Sequence, residues 1–290
     1  MYRTLLGTPF ETGLGETAGL RFAGLSMQLG KGQVVMVMSV ADRDLSGDLH
    51  GSRIRKRVTI AGVLVVAAII VNGVTHLFPE IRPYTGFLTR PNERSLIELS
   101  EAFLWLFAAI TFFIAAYHSR RHATVSTLYS FCLLMFGVLG VVVFGEETSW
   151  GQHFGLFEPP ESVVAVNAQQ EFNFHNLNLT EIFGLASSNP LYEPLKSAGN
   201  IISPLFQLCC VLMWGIVPLL LRLTPPDGFL RRSYPLPDLR ISLFLLSAYV
   251  TYFVVDKLLF DIAEIIEFAI SLTAAMVAAD LYARTRKVSS

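Results

Sequence analysis

The chain has 290 residues, of which 52% are hydrophobic and only 16% are charged, and its formal net charge is −1. A soluble globular domain usually carries about 25% charged residues, so this composition excludes an ordinary soluble protein. The charge also excludes a nucleic acid as the expected partner, because binding to phosphates requires a strong surplus of basic residues.

Residues 1–52 differ from the rest of the chain because they are rich in glycine and show no clear periodicity. The apolar patch at residues 34–40 is too short for a membrane span, and it lacks the basic flank and cleavage site of a signal peptide. Met27, Met36 and Met38 are alternative start sites. We expect residues 1–52 to form a mostly disordered cytoplasmic segment and residues 53–290 to form a transmembrane helical domain.

Apolar runs of about 20 residues follow, which is the length that crosses a hydrocarbon layer of about 30 Å. The last run is longer, and Asp256, Lys257 and Asp261 interrupt it, so we divide it into two spans. The sequence therefore predicts an all-α, polytopic bundle of about six transmembrane helices in contact with a lipid bilayer. The predicted spans are 58–78, 95–117, 125–145, 201–223, 241–256 and 262–283.

The distribution of arginine and lysine predicts the orientation, because cytoplasmic loops of membrane proteins are enriched in these residues. A basic cluster at residues 53–57 precedes the first span. If the N-terminus is cytoplasmic, thirteen basic residues flank the spans on the cytoplasmic side and five on the other. We therefore predict an inner (cytoplasmic) membrane protein with both termini in the cytoplasm. The loop at residues 146–199 is then extracytoplasmic, and we expect it to be structured or re-entrant.

Acidic residues collect at the predicted outer ends of the spans. Two pairs of glutamates spaced three positions apart each share one helix face. An adjacent pair of glutamates ends the third span, and one more glutamate lies in the following loop. An acidic residue at a helix start also interacts favourably with the helix dipole, which explains either i,i+3 pair taken alone. Seven carboxylates at one depth should repel one another or share protons or cations. The seven are Glu98, Glu101, Glu146, Glu147, Glu171, Glu264 and Glu267.

The loop after the third span places polar side chains at two periodicities. Asn167, Glu171 and His175 share one stripe of a helix, and they also alternate with less polar neighbours in an extended segment. Both forms point Glu171 and His175 the same way. A Glu-x3-His pair on a helix can supply two ligands to one metal ion, and such carboxylate-rich sites suit Mg²⁺, Ca²⁺, Mn²⁺ or iron. The alternative for His175 is a structural, hydrogen-bonded histidine.

These patterns predict one polar site in which Glu147, Glu171 and His175 are catalytic and a divalent metal ion is the cofactor. The predicted metal ligands are Glu98, Glu101, Glu146, Glu147, Glu171, His175, Glu264 and Glu267. The other predicted members of the site are His76, Trp150, Gln152, His153, Asn167, Gln169, Asn173 and Asn176.

Part of this region resembles a signature of uncharacterised bacterial multi-pass inner-membrane proteins. The resemblance rests on Glu146-Glu147-x-Ser149-Trp150-Gly151-Gln152, followed by Asn167-x-Gln169-x-Glu171-x-Asn173-x-His175-Asn176. His153 departs from the expected pattern, which has a basic residue such as arginine at that position. The resemblance implies a bacterial integral membrane protein in which this motif matters, and it implies no activity or cofactor.

Three functions are consistent with the sequence. The first is a metal-assisted membrane enzyme that acts on a lipid or lipid-linked substrate at the outer interface. The second is a non-catalytic assembly or scaffold subunit whose outer loop binds a protein partner. The third is a cation- or proton-coupled transporter, although such a pathway needs polar groups at mid-membrane depth and the spans offer mainly Asn72 and Gln207.

Overall fold

The computed structural model describes residues 21–22, 25–30, 33–38, 40–81, 95–121, 125–260 and 262–288. Contacts within the chain separate residues 1–53 from residues 54–290. The first unit contains an antiparallel sheet in the order β1-β2-β3. Its strands are β1 (Arg21–Phe22), β2 (Leu25–Gly30) and β3 (Gln33–Met38). Residues 1–20, 23–24, 31–32 and 39 lie outside the described residues, and the predicted disorder of residues 1–52 stays a prediction.

Among the described residues, six helices are long and apolar enough to cross a membrane. The prediction of an all-α polytopic bundle with six spans is therefore confirmed. The predicted break in the last apolar run also exists, because one helix ends at Leu258 and the next begins at Ala263. The six helices are α1 (Val40–Leu77), α2 (Leu96–Arg120), α3 (Thr127–Glu147), α4 (Gly199–Arg222), α5 (Leu239–Leu258) and α6 (Ala263–Val288).

Local side chains determine where several of these helices begin. Ser95 caps α2 in a capping box, in which its hydroxyl accepts from the Glu98 amide and Glu98 accepts from the Ser95 amide. Ser126 caps α3 by accepting from the Tyr129 amide. Such caps satisfy amide groups that have no partner within the helix.

Helix α6 is the most buried of the described spans, since 78% of its most apolar stretch is buried. It packs against α2, which also packs against α3. The contact between α2 and α3 is close because a β-carbon on Gly140 would lie only 2.9 Å from the β-carbon of Ala109. Exposed apolar side chains cover the outward faces, which indicates contact with a lipid bilayer.

Helix α4 changes its winding halfway along its length. It runs as an α-helix over Gly199–Cys210, as a π-helix over Val211–Ile216 and as an α-helix again over Val217–Arg222. Trp214 lies in the π segment and is fully buried, with its ring centre 6.0 Å from that of Trp105 in α2. Short helices occupy the connections on either side of α4. Their bounds are Glu161–Val164, Leu179–Ile182, Tyr192–Leu195 and Phe229–Ser233.

An ion pair between the buried Asp280 and the partly exposed Arg284 ties the far end of α6 to the start of α5. Asp280 is fully buried and accepts from Arg284, with an N–O distance of 2.6 Å. Asp280 also accepts from the amide of Asp238 at 2.8 Å, and Arg284 donates to the carbonyl of Leu236 at 3.0 Å. These bonds hold the segment that leads into α5 against α6.

Candidate functional site

The site begins at a sharp turn directly after α3. Ser149, Trp150 and Gly151 have φ values of 46°, 51° and 102°, which all lie in the left-handed region. Non-glycine residues adopt this conformation at a cost, and such strain concentrates at functional sites. The turn reverses the chain, so that Ser149 is fully buried and the following residues lie beside the end of α3.

The second part of the site is a loop at residues 167–178 that is closed by a bridge between Asn167 and Leu177. The Asn167 side chain organises this loop, because its oxygen accepts from the amides of Gln169 and Glu171 at 2.9 and 3.1 Å. Its amide group donates to the side-chain oxygen of Asn173 at 3.0 Å. The loop therefore forms neither the helix nor the alternating extended segment that the sequence suggested.

The turn and the loop meet in a hydrogen-bonded cluster around Glu171. His153 Nε2 donates to Oε1 of Glu171 at 2.8 Å, and Ser149 Oγ donates to Oε2 at 3.0 Å. Asn173 donates to the same Oε2 at 2.7 Å. Burial raises the pKa of Glu171, but the hydrogen bond and charge of His153, with the bonds from Ser149 and Asn173, outweigh it. The pKa of Glu171 therefore lies below its ordinary value of 4.5.

Glu146 forms the second connection between α3 and the loop. It accepts from Trp150 Nε1 at 2.8 Å and from the amide of Phe174 at 2.8 Å. It also lies 3.3 Å from Nδ1 of His175. A single carboxylate thus binds both the turn after α3 and the tip of the loop.

These contacts correct the pairing that the sequence suggested. The spacing of Glu171 and His175 predicted that the two side chains act together. In the structure, Glu171 pairs with His153 and His175 pairs with Glu146. The physical reason is that the loop lacks a helical repeat, so residues four apart in sequence do not share a face.

The two carboxylate–imidazole pairs line one cavity, which we call the polar cavity. It has a volume of about 320 Å³ and lies where α2 begins and α3 ends. Eight predicted site residues and four further residues line it. The lining consists of Glu98, Leu99, Ala102, Glu146, Glu147, Thr148, His153, Phe154, Gln169, Glu171, Asn173 and His175.

Three predicted carboxylates lie behind this cavity rather than in its wall. Glu101 is 2% exposed, and its charge interacts with those of Glu98, Glu147, Glu264 and Glu267. Glu267 in α6 also accepts from Gln207 of α4 at 3.3 Å. The predicted convergence of α2, α3 and α6 carboxylates is thus present, but Glu264 and Glu267 do not line the cavity.

The described residues give no support to the predicted metal centre, which stays a prediction. No group of three His, Cys, Asp or Glu side chains within them lies close enough together to hold one metal ion. A divalent cation with protein ligands requires several oxygen or nitrogen atoms at about 2.0–2.6 Å. Of the eight predicted ligands, Glu146, Glu171 and His175 belong to the two imidazole pairs. Glu98 and Glu147 also line the cavity, and Glu101, Glu264 and Glu267 lie behind it.

The predicted site residues that do not line the cavity make structural contacts. Gln152 accepts from the amide of Phe172 at 2.8 Å, and Asn176 donates to Gln169 at 2.6 Å. Trp150 binds Glu146, and His76 stacks on Phe260 with ring centres 5.7 Å apart. All of these contacts stabilise the walls or neighbouring helices.

Ser149 belongs to the hydrogen-bonded cluster, although the sequence patterns did not single it out as a site residue. Its hydroxyl lies between His153 and Glu171, at 3.2 Å from His153 Nε2. Its place within the Glu146–Gln152 motif is the sequence signal that could have identified it. In a catalytic triad, the serine hydroxyl bonds to one imidazole nitrogen and the carboxylate bonds to the other. Here the Ser149 hydroxyl and the Glu171 carboxylate both contact Nε2 of His153, so the three residues do not form a triad. Ser149 therefore positions Glu171 and His153.

The cavity brings two carboxylate–imidazole pairs and Glu147 to one wall. An imidazole held by a carboxylate can donate or accept a proton near neutral pH. Glu147 lines the same cavity, and its carboxylate makes no side-chain hydrogen bond within the described part of the chain.

No protein-family model, curated protein or solved structure matches this chain.

Proposed function

We propose that this protein is a membrane enzyme that performs acid–base chemistry on a lipid or lipid-linked substrate. The observation that carries the proposal is the polar cavity, in which two carboxylate–imidazole pairs and Glu147 face about 320 Å³ of space. Cavities of about 300 Å³ and above are large enough for a small ligand or a headgroup.

The contacts support a division of roles within the cavity. Glu171 has three side-chain donors, so it holds His153 in place, and His153 transfers the proton. Glu147 is the second acid–base group because no hydrogen bond from the described residues occupies its carboxylate. Glu146 and His175 keep the loop closed over the cavity.

The rim of the cavity supports a lipid-type substrate. Leu99 and Phe154 belong to the lining and are 44% and 48% exposed. They lie next to the ends of membrane spans, where a headgroup could enter the cavity while its acyl chains stay in the bilayer. Apolar surface of a lipid gains free energy when it is buried against this edge, and a fully polar substrate has no such surface.

We further propose that the polar cavity opens to the extracytoplasmic side of a bacterial inner membrane, with both termini in the cytoplasm. The asymmetry of lysine and arginine around the spans supports this orientation. The resemblance of the motif around Glu146 and Glu171 supports the bacterial assignment.

Lipid turnover by the purified protein tests the proposed activity. The protein is reconstituted in liposomes of phosphatidylethanolamine, phosphatidylglycerol and cardiolipin, and the lipids are followed by mass spectrometry. We expect a time-dependent product with the wild type and its loss in Glu147→Gln and His153→Gln. Glu161→Gln, an exposed position in the same connection, is the matched control. A wild-type protein that changes no lipid contradicts the enzyme proposal and leaves the scaffold hypothesis standing.

The same assay separates this proposal from the metal-assisted hypothesis. Because the described residues do not group into a metal site, we assign the acid and base to protein side chains. Turnover is then expected to continue in the presence of a chelator. Turnover that stops with the chelator and returns with Mg²⁺, Ca²⁺ or Mn²⁺ would favour the metal-assisted enzyme.

One contact favours a second candidate, proton or cation movement. Gln207 lies eight residues into α4, about 12 Å along the helix axis. It donates to Glu267 in α6, and Glu267 interacts with the buried Glu101. This line of polar groups continues from the cavity into the spans. The test is the internal pH of liposomes that contain the protein, measured under an imposed pH gradient. Acidification of the interior by the wild type, and its loss in Glu267→Gln, would support transport.

A further inference from the structure

The polar cavity has a strongly acidic wall. Four of its lining residues are carboxylates, and no lysine or arginine occurs among the described residues that line it. His153 and His175 each contact one carboxylate, namely Glu171 and Glu146. The carboxylate of Glu147 makes no such contact within the described residues. A wall of this composition attracts cations.

A second observation comes from behind the wall. Glu101 is 2% exposed, and its Oε1 has no hydrogen-bond partner among the residues that the structure describes. Its carboxylate interacts electrostatically with that of Glu147, which lines the cavity. A buried carboxylate without a partner is costly, so it requires either a proton or a nearby positive charge. Glu101 and Glu147 together therefore provide a place for a cationic group.

The geometry favours an organic cation over a metal ion. A hard metal cation requires several ligands converging at about 2.0–2.6 Å, and the described residues contain no such group. A protonated amine has three N–H donors, which are satisfied by separate acceptors at ordinary hydrogen-bond distances. The cavity volume of about 320 Å³ is also far larger than one ion needs.

The rim completes the argument for a lipid. Leu99 and Phe154 place exposed apolar surface beside the acidic wall. The protonated amine of a phospholipid headgroup can contact Glu147 while the acyl chains of the lipid remain beside this apolar surface. Glu98 also lines the cavity, but the capping box already occupies its Oε2.

We propose that the polar cavity binds the protonated amine headgroup of a phospholipid, with Glu147 as the direct acceptor and Glu101 as the supporting charge. This inference names the substrate class and rests on the proposed function of the same cavity. It makes a binding statement that can be measured without any turnover.

The test uses short-chain lipids and purified protein in detergent. Binding of dihexanoyl phosphatidylethanolamine is measured by calorimetry and compared with two ligands of the same chain length. Dihexanoyl phosphatidylglycerol lacks the amine, and N-acetylated dihexanoyl phosphatidylethanolamine lacks its charge. We expect at least tenfold tighter binding of the amine lipid. Equal binding of the three lipids would overturn the proposal.

Variants and small probes complete the test. Glu147→Gln should weaken binding of the amine lipid at least tenfold, whereas Glu161→Gln should leave it unchanged. Glu101→Gln should weaken binding in the same direction, and thermal unfolding verifies that each variant is folded. Unchanged binding in a folded Glu147→Gln protein would overturn the proposal. The proposal would also be overturned if one equivalent of Mg²⁺ displaced the bound amine lipid from the wild type. Binding of free ethanolamine as tight as that of the amine lipid would overturn it as well.

The two proposals fail in different ways. Turnover of phosphatidylglycerol without preference for the amine lipid removes the amine inference and retains the enzyme. Selective binding of phosphatidylethanolamine without any lipid product retains the amine site and removes the enzyme.

Discussion

His153 Nε2 lies 2.8 Å from Oε1 of Glu171, although the two residues are 18 positions apart in the chain. The left-handed turn at Ser149 and Trp150 brings the imidazole back toward α3, and the Asn167 side chain fixes the backbone of Glu171. The pair therefore depends on two separate loop structures. Both loop structures lie in the polar connection between α3 and α4.

The lowered pKa of Glu171 predicts a pH-dependent contribution to stability. A carboxyl group whose folded pKa lies below its unfolded pKa stabilises the folded state above the unfolded pKa. This contribution is lost as the pH falls from about 4.5 through the lower folded pKa. We expect Glu171→Gln to lower the melting temperature at pH 7, and we expect part of the difference from the wild type to disappear below about pH 4.5. Thermal unfolding in detergent between pH 7 and pH 3.5 measures this difference.

Glu161→Gln is the control for this experiment because Glu161 is exposed. A Glu171→Gln difference that stays constant over the whole pH range would contradict the role assigned to the ionised carboxylate.

Removal of the Glu146 carboxylate should release the loop that it binds. Glu146→Ala loses the acceptor for Trp150 Nε1 and for the amide of Phe174. Hydrogen bonds to a charged group contribute about 1.5–3 kcal/mol each. We expect faster hydrogen exchange in peptides that contain Phe174 and His175, measured by mass spectrometry. Exchange rates that match those of an exposed-site variant, Glu158→Ala, would show that Glu146 does not hold the loop.

Close packing between α2 and α3 should make Gly140 intolerant of a side chain. A β-carbon at this position would lie 2.9 Å from the β-carbon of Ala109 and 3.1 Å from the carbonyl oxygen of Trp105. Overpacking of this kind costs about 1–3 kcal/mol. We expect Gly140→Ala to reduce the free energy of unfolding in detergent by this amount.

Gly62→Ala is the matched substitution in another span, since no atom lies within 4 Å of a β-carbon at Gly62. It should be neutral or slightly stabilising because alanine favours the helix over glycine by about 1 kcal/mol. Equal effects of the two substitutions would refute the proposed close contact.

The ion pair at the other end of α6 should be a major source of stability. Asp280→Ala leaves Arg284 without its buried partner and removes the acceptor for the Asp238 amide. Arg284 is 41% exposed, so water can solvate it, and we expect a cost of about 1–3 kcal/mol from the lost acceptor for the Asp238 amide and from the lost ion pair. We expect a large loss of folded protein after heating, which size-exclusion chromatography measures. Arg232→Ala, at an exposed position, should behave like the wild type.

The proposed orientation predicts which positions a membrane-impermeant thiol reagent can reach in intact cells. A cysteine at Glu158→Cys should be labelled from outside, whereas one at Arg232→Cys should be labelled only after permeabilisation. The native chain, with Cys132, Cys209 and Cys210 in the spans, measures the background. The reverse pattern of labelling would place the polar cavity on the cytoplasmic side.

Much of the polar site was visible in the sequence because its members cluster around two short motifs. Glu147, Glu171 and His175 were predicted as a group, and all three line the cavity. Ser149 and the pairing of Glu171 with His153 were not predicted. Sequence spacing describes neighbours within a regular helix or strand, and the loop that carries Glu171 is irregular.

The sequence by itself determined the membrane architecture, because a span needs only about 20 apolar residues and each helix satisfies its own backbone hydrogen bonds. Acidic residues near span ends also follow directly from the order of residues in α2, α3 and α6. Only the tertiary structure decided which carboxylates line the cavity and which lie behind it. That division depends on the packing of α2 against α3 and α6 and on the left-handed turn at Ser149, and neither contact distances nor backbone angles follow from hydropathy.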